Sequence, residues 1–347
     1  DEKNWRGVTE GGKKEEKAEL GGWQWAIVCV AVSSLLVLQY ASYTLGYHFV
    51  KVRLGQSFDP KLLLLCSELI KFVISLVCEV VSVLHMQSDE GKTSAMGVFG
   101  QIAGNVMRTL HMMIFPAAIY MMMNILSLLA LTHISTTLFA TISQLKLVTT
   151  AVFSVLLLSR SLSVYQWLSL SVITLGNVFL SYQESSNPHG LDKNAITTIY
   201  TTFVGIGLSL IQVTLSGLVN VYFERLLKNT EETIWERNMQ LCFLSILLYA
   251  GILRVNHWTP SDTAFSMEFI LLTLILSVGG ILVAVCLRWL DAIVKCLAAS
   301  VSIVFVTYAS RILFGTTQSY LTFCGTALVV VGVFFYAAAS MKGKTKS

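Results

Sequence analysis

The chain has 347 residues, 54% of them hydrophobic and only 13% charged, whereas soluble domains carry about 25% charged residues and coat their surface with them. That composition excludes an ordinary soluble globule. The net charge of +4 gathers at the ends, at Lys3, Arg6, Lys13, Lys14 and Lys17 and again at Lys342, Lys344 and Lys346. Because Glu10, Glu15, Glu16 and Glu19 interleave the first group, its field is weak, and it reads as a solvated tail rather than a nucleic-acid arm.

Apolar runs of the roughly 20 residues needed to cross a hydrocarbon core of about 30 Å recur along the sequence. They predict transmembrane helices near 23–47, 60–86, 111–131, 135–158, 161–182, 197–227, 233–254, 268–289, 292–313 and 319–341. An even count returns the C-terminus to the side of the N-terminus, and charge supports it. With both termini cytosolic, fifteen of the 24 Lys and Arg fall on the cytosolic side and three (Lys71, Lys146, Lys295) within spans. Only Lys51, Arg53, Lys61, Lys193, Arg254 and Arg311 lie opposite. The longest loop is expected over 87–110, with polar turns at Ser88-Asp89-Glu90-Gly91-Lys92 and Ser185-Ser186-Asn187-Pro188-His189-Gly190.

The strings Leu157-Leu158-Ser159-Arg160-Ser161 and Ile312-Leu313-Phe314-Gly315-Thr316 each turn into a span, one carrying Gly176 and the other Gly332. They lie about half a chain apart, as two five-helix repeats of inverted topology would place them. The expected fold is therefore an all-α membrane protein of about ten transmembrane helices. Its parts are a polar cytosolic tail (1–22), a first five-helix repeat (23–182), an inter-repeat loop (183–196), a second repeat (197–341) and a basic cytosolic tail (342–347).

Lys146 sits midway along the predicted span 135–158, about 11 residues or roughly 17 Å of helix from either end, too deep to snorkel easily. A lysine there costs on the order of 2.5–3.5 kcal/mol, so it faces a cavity or a partner. It is either an anion-binding group or half of a structural ion pair. Lys295 lies near the start of the ninth span, as an interfacial anchor or as the counterpart of Lys146 on the echoing hairpin. Two lysines converging from such helices would form a pocket for phosphate.

Glu68 and Lys71, spaced i,i+3, share a helix face and neutralise each other, as a structural pair or as part of a substrate gate. Asn124, Gln144, Asn177, Gln212, Ser216 and Asn238 place amides and a hydroxyl in or beside apolar runs, as interhelical links or, for some, as groups that read a nucleoside. Tyr120 and Tyr222 could stack on a base. Gly279-Gly280 serves close packing or bending; no phosphate-loop spacing surrounds it. All seven cysteines lie in apolar runs without a paired spacing. The six histidines are scattered and no catalytic motif is present, so no enzyme, metal site or cofactor is expected.

Taken in order, Ser67-Glu68-Leu69-Ile70-Lys71, Asn124 followed by Gln144-Leu145-Lys146, Ser216-Gly217 with Val221-Tyr222-Phe223-Glu224-Arg225, Trp235-Glu236-Arg237-Asn238-Met239-Gln240, Ser277-Val278-Gly279-Gly280 and Asp291-Ala292-Ile293-Val294-Lys295 resemble the nucleotide-sugar transporters. The likeness is to the branch of CMP-sialic acid and UDP-galactose carriers, over about residues 24–340. It implies a ten-helix drug/metabolite-transporter fold in the Golgi or endoplasmic reticulum membrane, exchanging a cytosolic nucleotide sugar for a lumenal nucleoside monophosphate. By the resemblance, Lys146 and Lys295 would meet the phosphates, and Asn124, Ser216 and Asn238 the nucleoside or its cavity; Gln144, Tyr120 and Phe139 are further cavity candidates from the residues themselves. Glu68 and Lys71 would act in conformational change. Two departures bear on substrate: Ile125 stands where the branch carries a second Asn, and Phe139 where it carries a Tyr. The expected partners are a CMP- or UDP-linked sugar, the monophosphate and the lipid bilayer; a homodimer is open. The alternative within the same fold is a proton-coupled metabolite or drug exporter with Glu68 as proton carrier.

Overall fold

A computed structural model of the chain describes residues 22–53, 59–88, 95–183, 195–229, 232–255, 266–315 and 320–344. Most of the expected N-terminal tail, nearly all of the inter-repeat loop with its polar turn, and the end of the C-terminal tail lie outside the described residues. Every described element is a helix: α1 (Gly22–Arg53), α2 (Pro60–Ser88), α3 (Ala95–Thr109), α4 (His111–His133), α5 (Thr136–Ser143), α6 (Lys146–Leu158), α7 (Val164–Gln183), α8 (Ala195–Asn229), α9 (Ile234–Val255), α10 (Met267–Trp289), α11 (Ala292–Phe314) and α12 (Tyr320–Lys344).

Among the described residues, eight segments are long and apolar enough to cross a membrane, α5 and α6 counting together over Leu138–Leu158. The other long helices, α2 and α9, are not among them. Lys61, Glu68, Lys71 and Glu79 interrupt the first, and Glu236, Arg237 and Arg254 the second.

Two expectations are corrected. The segment 87–110 contains the 15-residue helix α3 rather than only a loop. Val98 and Ile102, one turn apart, are buried with Met239, and Val106 packs against the same cluster along with Phe72, Leu76, Val80 and Val83. A single apolar stripe was too short to register as a span. The predicted helix 135–158 is also not continuous. Its backbone tightens at Gln144 and Leu145, where N–H groups reach three residues back, Gln144 to Thr141 (3.2 Å), Leu145 to Ile142 (3.0 Å) and Leu147 to Gln144 (3.4 Å). Lys146 therefore opens α6 rather than sitting mid-helix.

The described chain forms two compact units, each drawn from both halves of the sequence: residues 1–121 with 223–290, and residues 122–222 with 291–347. In the first unit α2 packs on α9, and α10 on α1 and α2. The core is apolar around Val50, Leu62, Leu63, Phe269 and Leu272. Charged groups lie inside it: Glu224 and Arg237 are fully buried. Arg237 meets Glu232 at 2.8 Å and Gln240 at 2.9 Å. Thr233 and Glu236 cap α9 reciprocally, each side chain accepting the other's backbone N–H, and the Thr233 hydroxyl donates to Glu79 at 2.6 Å. Lys228 pairs with Glu224 and donates to the Leu290 carbonyl, while Arg288 donates to that of Leu227, so α8 and α10 end on each other's cations.

In the second unit α7 packs along α12, and α11 on α6. A Cβ on Gly176 would come within 2.8 Å of the Gly325 carbonyl oxygen, and one on Gly325 equally close to that of Gly176; Gly332 lies on Ile173. Backbone touches backbone here, as small residues allow. The two echoing strings also share a local design: α6 ends on Ser159 and α11 on Gly315, both left-handed, at φ 50° and 68°. Large apolar side chains stand exposed in both units, such as Val73 and Leu271 in the first and Leu156 and Phe334 in the second, the reverse of a soluble surface and the kind of face a bilayer solvates. Replacing Gly176 with Val should lower the thermal midpoint in detergent by the equivalent of about 1–3 kcal/mol, the range for overpacking. An unchanged midpoint would show that α7 and α12 separate at little cost.

Candidate substrate site

Lys146 and Lys295 belong to the second unit, and α6, α8 and α11 bring them to one junction. Thr150, one turn after Lys146 and so on its face, has its hydroxyl 3.5 Å from the Cys296 sulfur, and Cys296 follows Lys295. The first turns of α6 and α11 therefore lie side by side, held by Leu147, Ala151, Ile293, Cys296 and Leu297 in one apolar cluster. Asp291 begins α11, its Oδ1 accepting the Val294 N–H at 2.8 Å while Oδ2 faces Arg160 at 3.6 Å.

Helix α8 closes the junction. Gly217 rides directly on the backbone of Thr149 and Thr150, where a Cβ would approach to 2.8–2.9 Å, and the Thr149 hydroxyl donates to the Val213 carbonyl at 3.2 Å. One turn beyond Ser216, Asn220 accepts a hydrogen bond from Lys295 Nζ at 2.6 Å. Lys146 is half-buried, and among the described residues its ammonium makes no hydrogen bond or ion pair. An ammonium left so is a ready partner for an anion.

The remaining expected residues divide between the units. Ser216 is half-buried on the α8 face that meets α6, and Asn124 is half-buried on α4. Gln144 is buried, donating to the Ala140 carbonyl at 3.1 Å and to the Ser181 hydroxyl at 3.3 Å, so it ties the tightened turn to α7. Phe139 packs against Ile134, Ile142 and Val213. Asn177 donates to Ser300 at 2.7 Å, linking α7 to α11. Tyr120 and Asn238 belong to the first unit, where Asn238 is buried and its Nδ2 has no hydrogen-bond partner among the described residues.

Glu68 and Lys71, also of the first unit, form an ion pair at 2.6 Å, with both side chains nearly buried. Gly280 makes the space: a Cβ there would meet Lys71 Cδ at 2.5 Å and Nζ at 3.0 Å. The neighbouring Gly279 likewise accommodates Gln39, which donates to the Ile275 carbonyl at 3.1 Å. The glycine pair is thus a notch on α10 for two polar side chains from α1 and α2. Sequence reasoning missed Asn220, although its i,i+4 spacing from Ser216 was a visible signal.

A chain whose described residues are helical throughout, with eight apolar segments of membrane-crossing length among them and charged groups such as Glu224 and Arg237 buried, is a multi-pass membrane protein. It belongs to the nucleotide-sugar transporter family, whose model matches residues 24–337. The human UDP-N-acetylglucosamine transporter is 34% identical over 242 residues, covering 68% of this chain and 73% of its own. The mouse UDP-galactose translocator is 30% identical over 334 residues, covering 88% and 77%. The UDP-galactose transporter of Schizosaccharomyces pombe is 30% identical over 317 residues, covering 89% and 87%. A solved crystal structure at 12% identity matches with a TM-score of 0.65 over 92% of this chain and 99% of its own, a likeness of fold alone.

The ion pair in the first unit gives a direct test. Glu68→Gln should destabilise the purified protein by about 3–5 kcal/mol, because it strands a buried ammonium, whereas Glu68→Gln with Lys71→Met should recover most of that loss. Detergent unfolding of the single and double variants reads both. Equal loss in the two would mean that the pair does not act as a unit.

Proposed function

We propose that the chain carries a pyrimidine nucleotide sugar across an internal membrane in exchange for a nucleoside monophosphate. The observation that supports this most directly is the Lys146 ammonium, half-buried in a membrane helix, making no hydrogen bond or ion pair among the described residues, and set at the same helix junction as Lys295. A substrate diphosphate entering there supplies the missing counter-charge, and each charge-assisted hydrogen bond adds about 1.5–3 kcal/mol. Ser216 and Asn124 lie in the same unit as candidates for the nucleoside or the sugar. Phe139 offers a ring without a hydroxyl.

The relatives named for UDP sugars favour uridine over cytidine. Exchange follows from the same electrostatics: the empty carrier holds unneutralised ammonium groups in a medium that penalises them, so return without an anion is slow. Ten spans in two inverted five-helix repeats, over 23–182 and 197–341, would place both termini in the cytosol, in the Golgi or endoplasmic reticulum membrane. A homodimer is compatible with this arrangement.

In proteoliposomes, uptake of UDP-galactose or UDP-N-acetylglucosamine should depend on UMP or CMP inside. Lys146→Ala should lower apparent substrate affinity by about ten- to a hundredfold while insertion is unchanged. Equally fast uptake into vesicles without nucleotide would overturn exchange, and normal transport by the variant would remove Lys146 from the site. Uptake driven by a pH gradient alone would select the proton-coupled exporter.

A further inference from the structure

We propose that Asn220 is the positioning residue for Lys295, a neutral anchor that fixes the ammonium where the substrate phosphate arrives. The inference rests on the phosphate role of Lys295 stated above. Its geometric basis is the 2.6 Å hydrogen bond from Lys295 Nζ to Asn220 Oδ1. A lysine side chain has four rotatable bonds and gives only a point charge, so its reach is indefinite until a second group fixes it.

Asn220 is well suited to that task. It is 4% exposed, and the helix that carries it is immobilised three residues earlier, where Gly217 lies on the Thr149 and Thr150 backbone and Val213 accepts from Thr149. Those same two threonines follow Lys146 by one turn. Asn220 therefore holds Lys295 in register with α6, the helix that Lys146 opens.

The chemistry of the anchor matters as much as its position. Lys71, Lys228 and Arg237 in the first unit each meet a carboxylate, of Glu68, Glu224 and Glu232. An amide brings no charge of its own; it orients the ammonium without competing for it as an anion would. A carboxylate of the same shape at position 220 would form an ion pair with Lys295 and repel an incoming phosphate.

The test compares UMP with uridine, binding to the purified full chain, because only UMP carries the phosphate. Lys295→Ala should remove most of the preference for UMP. Asn220→Ala should weaken UMP binding about tenfold with uridine little changed, and should add nothing in the Lys295→Ala background. Asn220→Asp should weaken UMP binding more than Asn220→Ala does, although Asp matches Asn in shape; a packing role alone gives the opposite order. The thermal midpoint without ligand serves as the folding control, and Asn220→Ser, which keeps an acceptor oxygen, replaces the Asp variant if that one does not fold. It should bind UMP better than Asn220→Ala. If Lys295→Ala leaves the UMP preference intact, the phosphate role of Lys295 fails and this inference with it, whereas Lys146→Ala tests the wider reading. If Lys295→Ala abolishes the preference but the position 220 variants bind UMP normally, or lose uridine equally, the inference alone is overturned.

Discussion

A charge inside a membrane helix has no water to turn to, so the protein must supply its solvation or present it to a ligand. Both solutions occur in this chain. In the first unit Lys71, Lys228 and Arg237 sit against carboxylates, Arg237 held also by Gln240 and Lys228 by the Leu290 carbonyl, with Lys71 in the space that Gly280 leaves. In the second unit Lys295 rests on an amide, and Lys146 has no polar partner among the described residues. Pairing with a carboxylate consolidates a bundle, whereas holding an ammonium with neutral groups preserves its affinity for anions.

This division also explains why α2 and α9 look less like membrane helices than their neighbours. Their acidic, basic and amide residues are spent on each other and on α3: Glu79 reaches Thr233, Glu236 reaches Asn105 at 3.1 Å, and Gln240 reaches Thr109 at 2.8 Å. Apolar residues that remain along α2, such as Leu69, Val73 and Val77, are exposed. Their low apolarity thus marks burial of polar groups between packed helices, several of them, such as Glu79, Glu236 and Gln240, with a partner on another segment.

Much of the architecture was legible in the sequence because hydrocarbon imposes a length and a composition on whatever crosses it. The class of fold followed from that, and the family from the ordered strings around Glu68, Lys146, Asn238 and Lys295, whereas the mid-helix place expected for Lys146 did not hold, since it opens α6. What escaped was local. The amphipathic α3 displays only one apolar stripe, below the length that signals a span. The tightening at Gln144 and Leu145 has no proline or glycine to announce it, and it occurs where Gln144 reaches Ser181, a contact 37 residues away in sequence. Asn220 was passed over because a lone amide in an apolar run reads as interhelical glue until the ammonium beside it is seen.

The turn before Lys146 has a mechanical consequence. Bonds that reach three residues wind the backbone at about 3.0 residues per turn with a rise near 2.0 Å, against 3.6 and 1.5 Å in the ordinary helix. Each residue exchanged between the two windings rotates everything beyond it by about 20° and shifts it by about 0.5 Å along the axis. Were two or three such residues to rewind, the change of a few backbone bonds would turn the helix that Lys146 opens through about 40–60°.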